Sequence, residues 1–125
     1  MVESTIAAID LDTLASLEKL SADPDFLVTL IAGFVDDSQD QLRIARGALA
    51  SADISGVRDA LHAMQGTSGS VGAVGVMRAC VAVRNRSDDQ LMSGGGALVD
   101  GLTAQLEEDR IQLERYLIDR AALNR

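Results

Sequence analysis

This sequence predicts an all-α fold: an antiparallel up-down four-helix bundle with a short additional N-terminal helix. Three observations carry that expectation. Apolar residues recur at steps of three and four along almost the whole chain, the spacing of one helix face. A single proline in 125 residues leaves long stretches free to stay helical. No run of alternating apolar and polar residues competes as a strand.

The first helix is expected over about 11–20, where Leu11, Leu14, Leu17 and Leu20 share one face, and it reads as a lid on the bundle. In "SADPDF", Asp23 suits the cap of the next helix, Pro24 its first position and Asp25 its positive end. That helix runs to about residue 50. Leu27, Leu30, Ile31, Phe34, Leu42, Ala45 and Leu49 mark its apolar face, and Asp36, Asp37, Asp40, Arg43 and Arg46 lie largely opposite. "SADISG" restarts the pattern with Ser51 or Asp53 as cap, and Ile54, Val57, Leu61, Met64, Ser68 and Val71 form a narrow inward stripe. A fourth helix takes up Val76, Met77, Cys80, Val81 and Arg84. "NRSDDQLMSGGG", polar and ending in three glycines, reads as a flexible connection, with a glycine-rich loop over about 87–95. The last helix follows over about 96–121, on Leu98, Leu102, Leu106, Leu113 and Leu117. Short connections between long amphipathic helices make neighbours antiparallel. Residues 1–125 are read as one domain with its core in about 9–120.

Composition excludes several functions. A net charge of −8 argues against nucleic acid, which needs clustered Lys and Arg, and two Phe with one Tyr make no stacking platform. No apolar run approaches the ~20 residues of a membrane span. "MVESTIAAID" lacks the basic start and apolar stretch of a signal peptide, so a cytoplasmic location is expected. Arg110, Arg115, Arg120 and Arg125 alternate with acids and mark no membrane-facing side. The lone Cys80 forms no internal disulfide and reads as a packed core thiol. One histidine and one distant cysteine offer no metal-ligand spacing, so neither a metal nor a cofactor is expected. Without a long uninterrupted heptad, a monomer is expected.

The segment that stands out is "LHAMQGTSGSVGAVG", residues 61–75, which holds the only histidine, His62, beside Gly66, Gly69, Gly72 and Gly75. Each glycine disfavours a helix by roughly 1 kcal/mol relative to alanine. His62 falls one position past the core residue Leu61, with Arg58, Gln65, Gly66 and Gly69 on the same strip of surface. The imidazole should therefore stand in solvent at the border of the core, where bare backbone lets another protein approach; a tight helix crossing is the structural alternative. The glycine run lacks the Lys-Ser/Thr ending and the leading strand of a phosphate loop. Ser68 and Ser70 point away from the imidazole on a helix, which disfavours a hydrolytic dyad.

"HAMQGTSGSVGA" resembles the H-x-x-K-G-[ST]-[SA] signature of histidine phosphotransfer (HPt) domains, the four-helix relay modules of bacterial phosphorelays. "IDLDTLASL", "DPDFLVTLIAGFVDDSQDQL" and "ADISGVRDALHAMQG" follow that family's opening order, and Cys80 falls where its next helix often carries a cysteine. The resemblance covers roughly residues 9–120. It implies a phosphocarrier without its own ATP site, in which His62 accepts a phosphoryl group from a receiver-domain aspartyl phosphate and passes it to another receiver. Gly66 would leave room for phosphate, and Gln65 and Arg58 would form its surroundings. Mg²⁺ would belong to the receiver. The partners implied are response-regulator receiver domains, or a hybrid histidine kinase in cis, which would make the chain the cytoplasmic C-terminal domain of a membrane-bound sensor. Docking is expected on Leu61 and Gly69 of the third helix and on Phe34, Asp37, Ser38 and Gln41 of the second. The family usually has lysine where Gln65 stands, and glutamine offers only a neutral donor. Either transfer persists with less charge at the site, or the domain keeps docking alone.

Overall fold

The computed structural model describes residues 8–123; most of "MVESTIAAID", and Arg125, lie outside them. Five helices make up the described residues: α1 (Leu11–Glu18), α2 (Phe26–Ala50), α3 (Ile54–Ser70), α4 (Val74–Arg84) and α5 (Asp88–Leu123). Helices α2 to α5 form a ring in which α2 packs on α3, α3 on α4, α4 on α5 and α5 back on α2. Three-residue connections make α2–α3, α3–α4 and α4–α5 antiparallel. Ile31, Phe34, Leu42, Leu61, Met64, Val76, Cys80, Leu102 and Leu106 meet in one buried core. No helix among the described residues is long and apolar enough to cross a membrane.

Local chemistry sets the corners. Before α2, the Asp23 carboxylate accepts from Asp25 N (2.9 Å) and Pro24 lies in that turn, so the helix begins at Phe26, two residues beyond the expected start. After α2 the backbone reverses through Ala52 at φ 56°, with Asp53 N donating to Ala48 O (2.8 Å) and Ala52 N to Leu49 O (3.1 Å), a Schellman closure. Asp53 then caps α3 by accepting from Gly56 N (2.9 Å). The α3–α4 corner repeats the closure through Gly72 at φ 78°, where Asp10 N donates to Gly72 O (2.8 Å). A Cβ at Gly72 would lie 3.1 Å from the Asp10 carbonyl oxygen, so only glycine fits the approach. Helix α1 closes over this corner: Leu14 is fully buried, and Tyr116 of α5 donates its hydroxyl to Glu18.

The expected flexible loop at 87–95 is instead the beginning of α5. Ser87 and Gln90 form a reciprocal capping box (Gln90 N to Ser87 Oγ 3.2 Å, Ser87 N to Gln90 Oε1 2.9 Å), which starts the helix at Asp88. Leu91, Gly95, Val99 and Leu102 then continue one buried stripe through the three glycines. A Cβ on Gly95 would lie 2.6 Å from Leu49 Cδ2, so the missing side chain is what brings α2 and α5 together. Packing overrides the weak helix propensity of Gly94–Gly96.

Candidate functional site

His62 stands exposed near the middle of α3, next to the fully buried Leu61. The helix presents two different flanks beside it. On the α2 side a mostly apolar groove runs between the helices, lined by Leu30, Gly33, Phe34 and Asp37 of α2 and by His62, Ala63, Gly66 and Ser70 of α3. A Cβ placed on Gly66 or on Gly33 meets nothing within 4 Å, so backbone lies open on both walls. On the α4 side, Gln65 Oε1 accepts a hydrogen bond from Arg84 Nη1 at 2.6 Å.

The model of the Hpt domain family matches residues 29–120, a span that contains His62, all of α3 and α4 and most of α2 and α5. The chain belongs to the Hpt domain family. Among solved structures, this Hpt domain is similar to histidine-containing phosphotransfer protein B (HptB) of Pseudomonas aeruginosa PAO1, at 25% identity and TM-score 0.77, over 92% of this chain and 98% of that one. It is also similar to the histidine-containing phosphotransfer protein MtHPt2 of Medicago truncatula, at 26% identity and TM-score 0.73, over 94% of this chain and 84% of that one. A comparison with curated proteins finds no match.

Several expected site residues occupy other roles in this Hpt domain. Leu61 and Ser38 are fully buried and cannot touch a partner, because each points into the core that its helix shares with its neighbours. Gly69 is half-buried, and its Cβ would lie 3.2 Å from Met77 Sδ; it permits the close α3–α4 crossing instead of facing solvent. Arg58 is turned away from the imidazole: its guanidinium donates to Arg84 O, to Arg86 O (3.1 Å) and to Asp88 Oδ1 (2.5 Å), clasping the α4–α5 corner. Phe34 and Asp37 line the groove, whereas Gln41, one turn further on α2, does not. Of the four glycines in the motif region, Gly66 alone faces open space; Gly72 shapes the corner, and Gly75 makes room for Asp109.

Asp109 was not anticipated as a structural group. It is fully buried on α5, accepts from Val76 N (2.7 Å) and from Gln105 Nε2 (2.8 Å), and so caps α4 from a different helix. Burial pushes its carboxyl above the usual aspartate range, opposed by the Gln105 and Val76 hydrogen bonds. Its sequence signal is a carboxylate in the apolar phase of Leu102, Leu106 and Leu113. Arg84 carries a comparable signal, since a charged residue closes the inward stripe of α4. Burial holds the Cys80 thiol up to about 12, an inert core position. Among the described residues no group of three or more His, Cys, Asp or Glu side chains is arranged to hold a metal ion.

Proposed function

We propose that this Hpt domain carries phosphoryl groups on His62 between receiver domains of a phosphorelay. Hpt domains pass phosphoryl groups to response-regulator receivers. The setting of His62 carries the assignment: it is the only histidine of the chain, exposed at the rim of an apolar groove whose backbone is bare at Gly66 and Gly33. An unshared electron pair on the imidazole can take the phosphoryl group from an aspartyl phosphate, and the groove supplies an apolar centre on which a receiver settles. Leu30 and Asp37 would contact that receiver above a groove floor formed by the buried Phe34, and the receiver also brings the Mg²⁺ and most of the transition-state charge stabilisation. The relay runs in the cytoplasm, through free receivers or one joined in cis to a hybrid histidine kinase.

The test is transfer from phosphorylated receiver domains, with Mg²⁺, to the wild type and to His62→Ala. Acid-labile, alkali-stable label on the wild type and none on the variant is the expected result. Label on both proteins, or on neither across the receivers encoded beside this chain, would overturn the assignment.

A further inference from the structure

Resting on that phosphocarrier reading, we propose that Arg84 of α4 is the cation that faces the phosphoryl group on His62, and that Gln65 holds it there. Gln65 follows His62 by one turn, so the two side chains are neighbours on the surface of α3. The far end of Gln65 accepts from Arg84 Nη1 at 2.6 Å, which ties a guanidinium to the residue one turn beyond the acceptor histidine. Acidic side chains pair with Arg43, Arg46, Arg58, Arg110 and Arg120; among the described residues none pairs with Arg84. Its Nε is buried and has no hydrogen-bond partner among the described residues. The backbone from which it departs is fixed, because Arg58 donates to the Arg84 carbonyl. A half-buried cation without a carboxylate partner is therefore held on Gln65, one turn from the group expected to acquire negative charge.

The chemistry calls for such a group after the receiver has left. In transfer, an imidazole nitrogen attacks phosphorus, the N–P bond forms, and the P–O bond to aspartate breaks with its electron pair leaving on the carboxylate. The other ring nitrogen keeps its proton, so no additional base is required. Three charged oxygens then remain on His62 without the receiver's metal ion. Guanidinium N–H groups match such oxygens in geometry and charge. Glutamine at position 65 does not leave the site without charge: its amide oxygen is the acceptor that orients the arginine, a role an ammonium could not fill.

The experiment phosphorylates the wild type, Arg84→Met, Gln65→Leu and the double variant Arg84→Met/Gln65→Lys. It uses phosphoramidate for isolated phosphohistidine and, for transfer rates, a receiver that labels the wild type. For Arg84→Met, receiver-driven labelling should slow by about tenfold, the scale of one charge-assisted hydrogen bond. The phosphorus NMR titration of its phosphohistidine should move to higher pH, because a cation no longer favours the dianion. Gln65→Leu should shift both readouts the same way by less, and the double variant should recover much of each. A fully helical Arg84→Met with wild-type rate and titration overturns the proposal, as does slowed transfer with an unmoved titration. If Arg84→Met fails to fold, an unmoved titration in Gln65→Leu overturns it. Failure of phosphoramidate and receivers to label even the wild type overturns the carrier reading itself.

Discussion

Replacing Gly66 by alanine should make this protein more stable while bringing bulk to the groove. Alanine exceeds glycine in a helix interior by about 0.8–1.0 kcal/mol. Nothing offsets that gain at position 66, where the new Cβ meets no atom within 4 Å. With a urea dependence of about 2 kcal/mol per molar, the midpoint should rise by roughly 0.5 M. The same exchange at Gly72 should have the opposite sign: the residue is at φ 78°, and its Cβ would lie 3.1 Å from the Asp10 carbonyl oxygen. Left-handed backbone costs a non-glycine residue about 1–2 kcal/mol, before the crowding is added. Urea denaturation followed by circular dichroism at 222 nm measures both. A lowered midpoint for Gly66→Ala, or an unchanged one for Gly72→Ala, would refute the claim that the first glycine serves access and the second geometry. Gly66→Trp completes the test, since it should stay folded yet depress receiver labelling of His62.

Ala52→Gly should stabilise the fold by about 0.5–1 kcal/mol, read in the same denaturation assay, because Ala52 holds φ 56° at the end of α2. Asp109→Ala should remove about 2–3 kcal/mol by leaving the Val76 amide without its buried acceptor. Asp109 also gives stability a pH dependence. Its folded pKa is raised above the ordinary 3.8, so its favourable contribution is complete below that value and declines as pH rises through the folded pKa. Against Asp109→Asn, wild-type stability should therefore fall as pH rises from about 3.8 through the raised folded pKa; a flat or rising difference would contradict the buried-carboxylate account. Cys80, with its thiol pushed up to about 12, should resist an aromatic disulfide reagent at pH 8 until denaturant is added.

The helical period made the fold legible because nearly every buried position of α2 and α3 is an aliphatic or aromatic residue spaced on one face. It failed at residues 87–95, where local glycine propensity and a distant contact disagree. Leu49 decides the outcome there, and no window around the glycines contains it. Around the candidate site, the exposure of His62 and the open backbone at Gly66 were legible in their position relative to Leu61. The flank on which each neighbour falls was not. Arg58, Gln65 and Gly69 differ from His62 by small rotations about the helix axis, and only the packed position of α4 decides that Arg58 clasps a corner while Gln65 meets Arg84. Ser38 was misplaced for the same reason: helical phase puts it close to the border, and the core of α2 takes it in.

Three consecutive glycines inside α5 carry a consequence for the order in which the molecule assembles. Gly94, Gly95 and Gly96 together are less inclined to helix than alanines by about 3 kcal/mol, so the unfolded chain holds no nascent helix there. That stretch winds only once α2 presents Leu49 to Gly95. Assembly along α5 accordingly proceeds from its leucine-bearing middle toward Asp88, and amide protection should be lost first in the reverse direction. Asp88 pairs with Arg58, and Arg58 clasps the end of α4. The last turn of α4, with Arg84 on it, is thus among the latest parts of the domain to be fixed and the earliest to loosen.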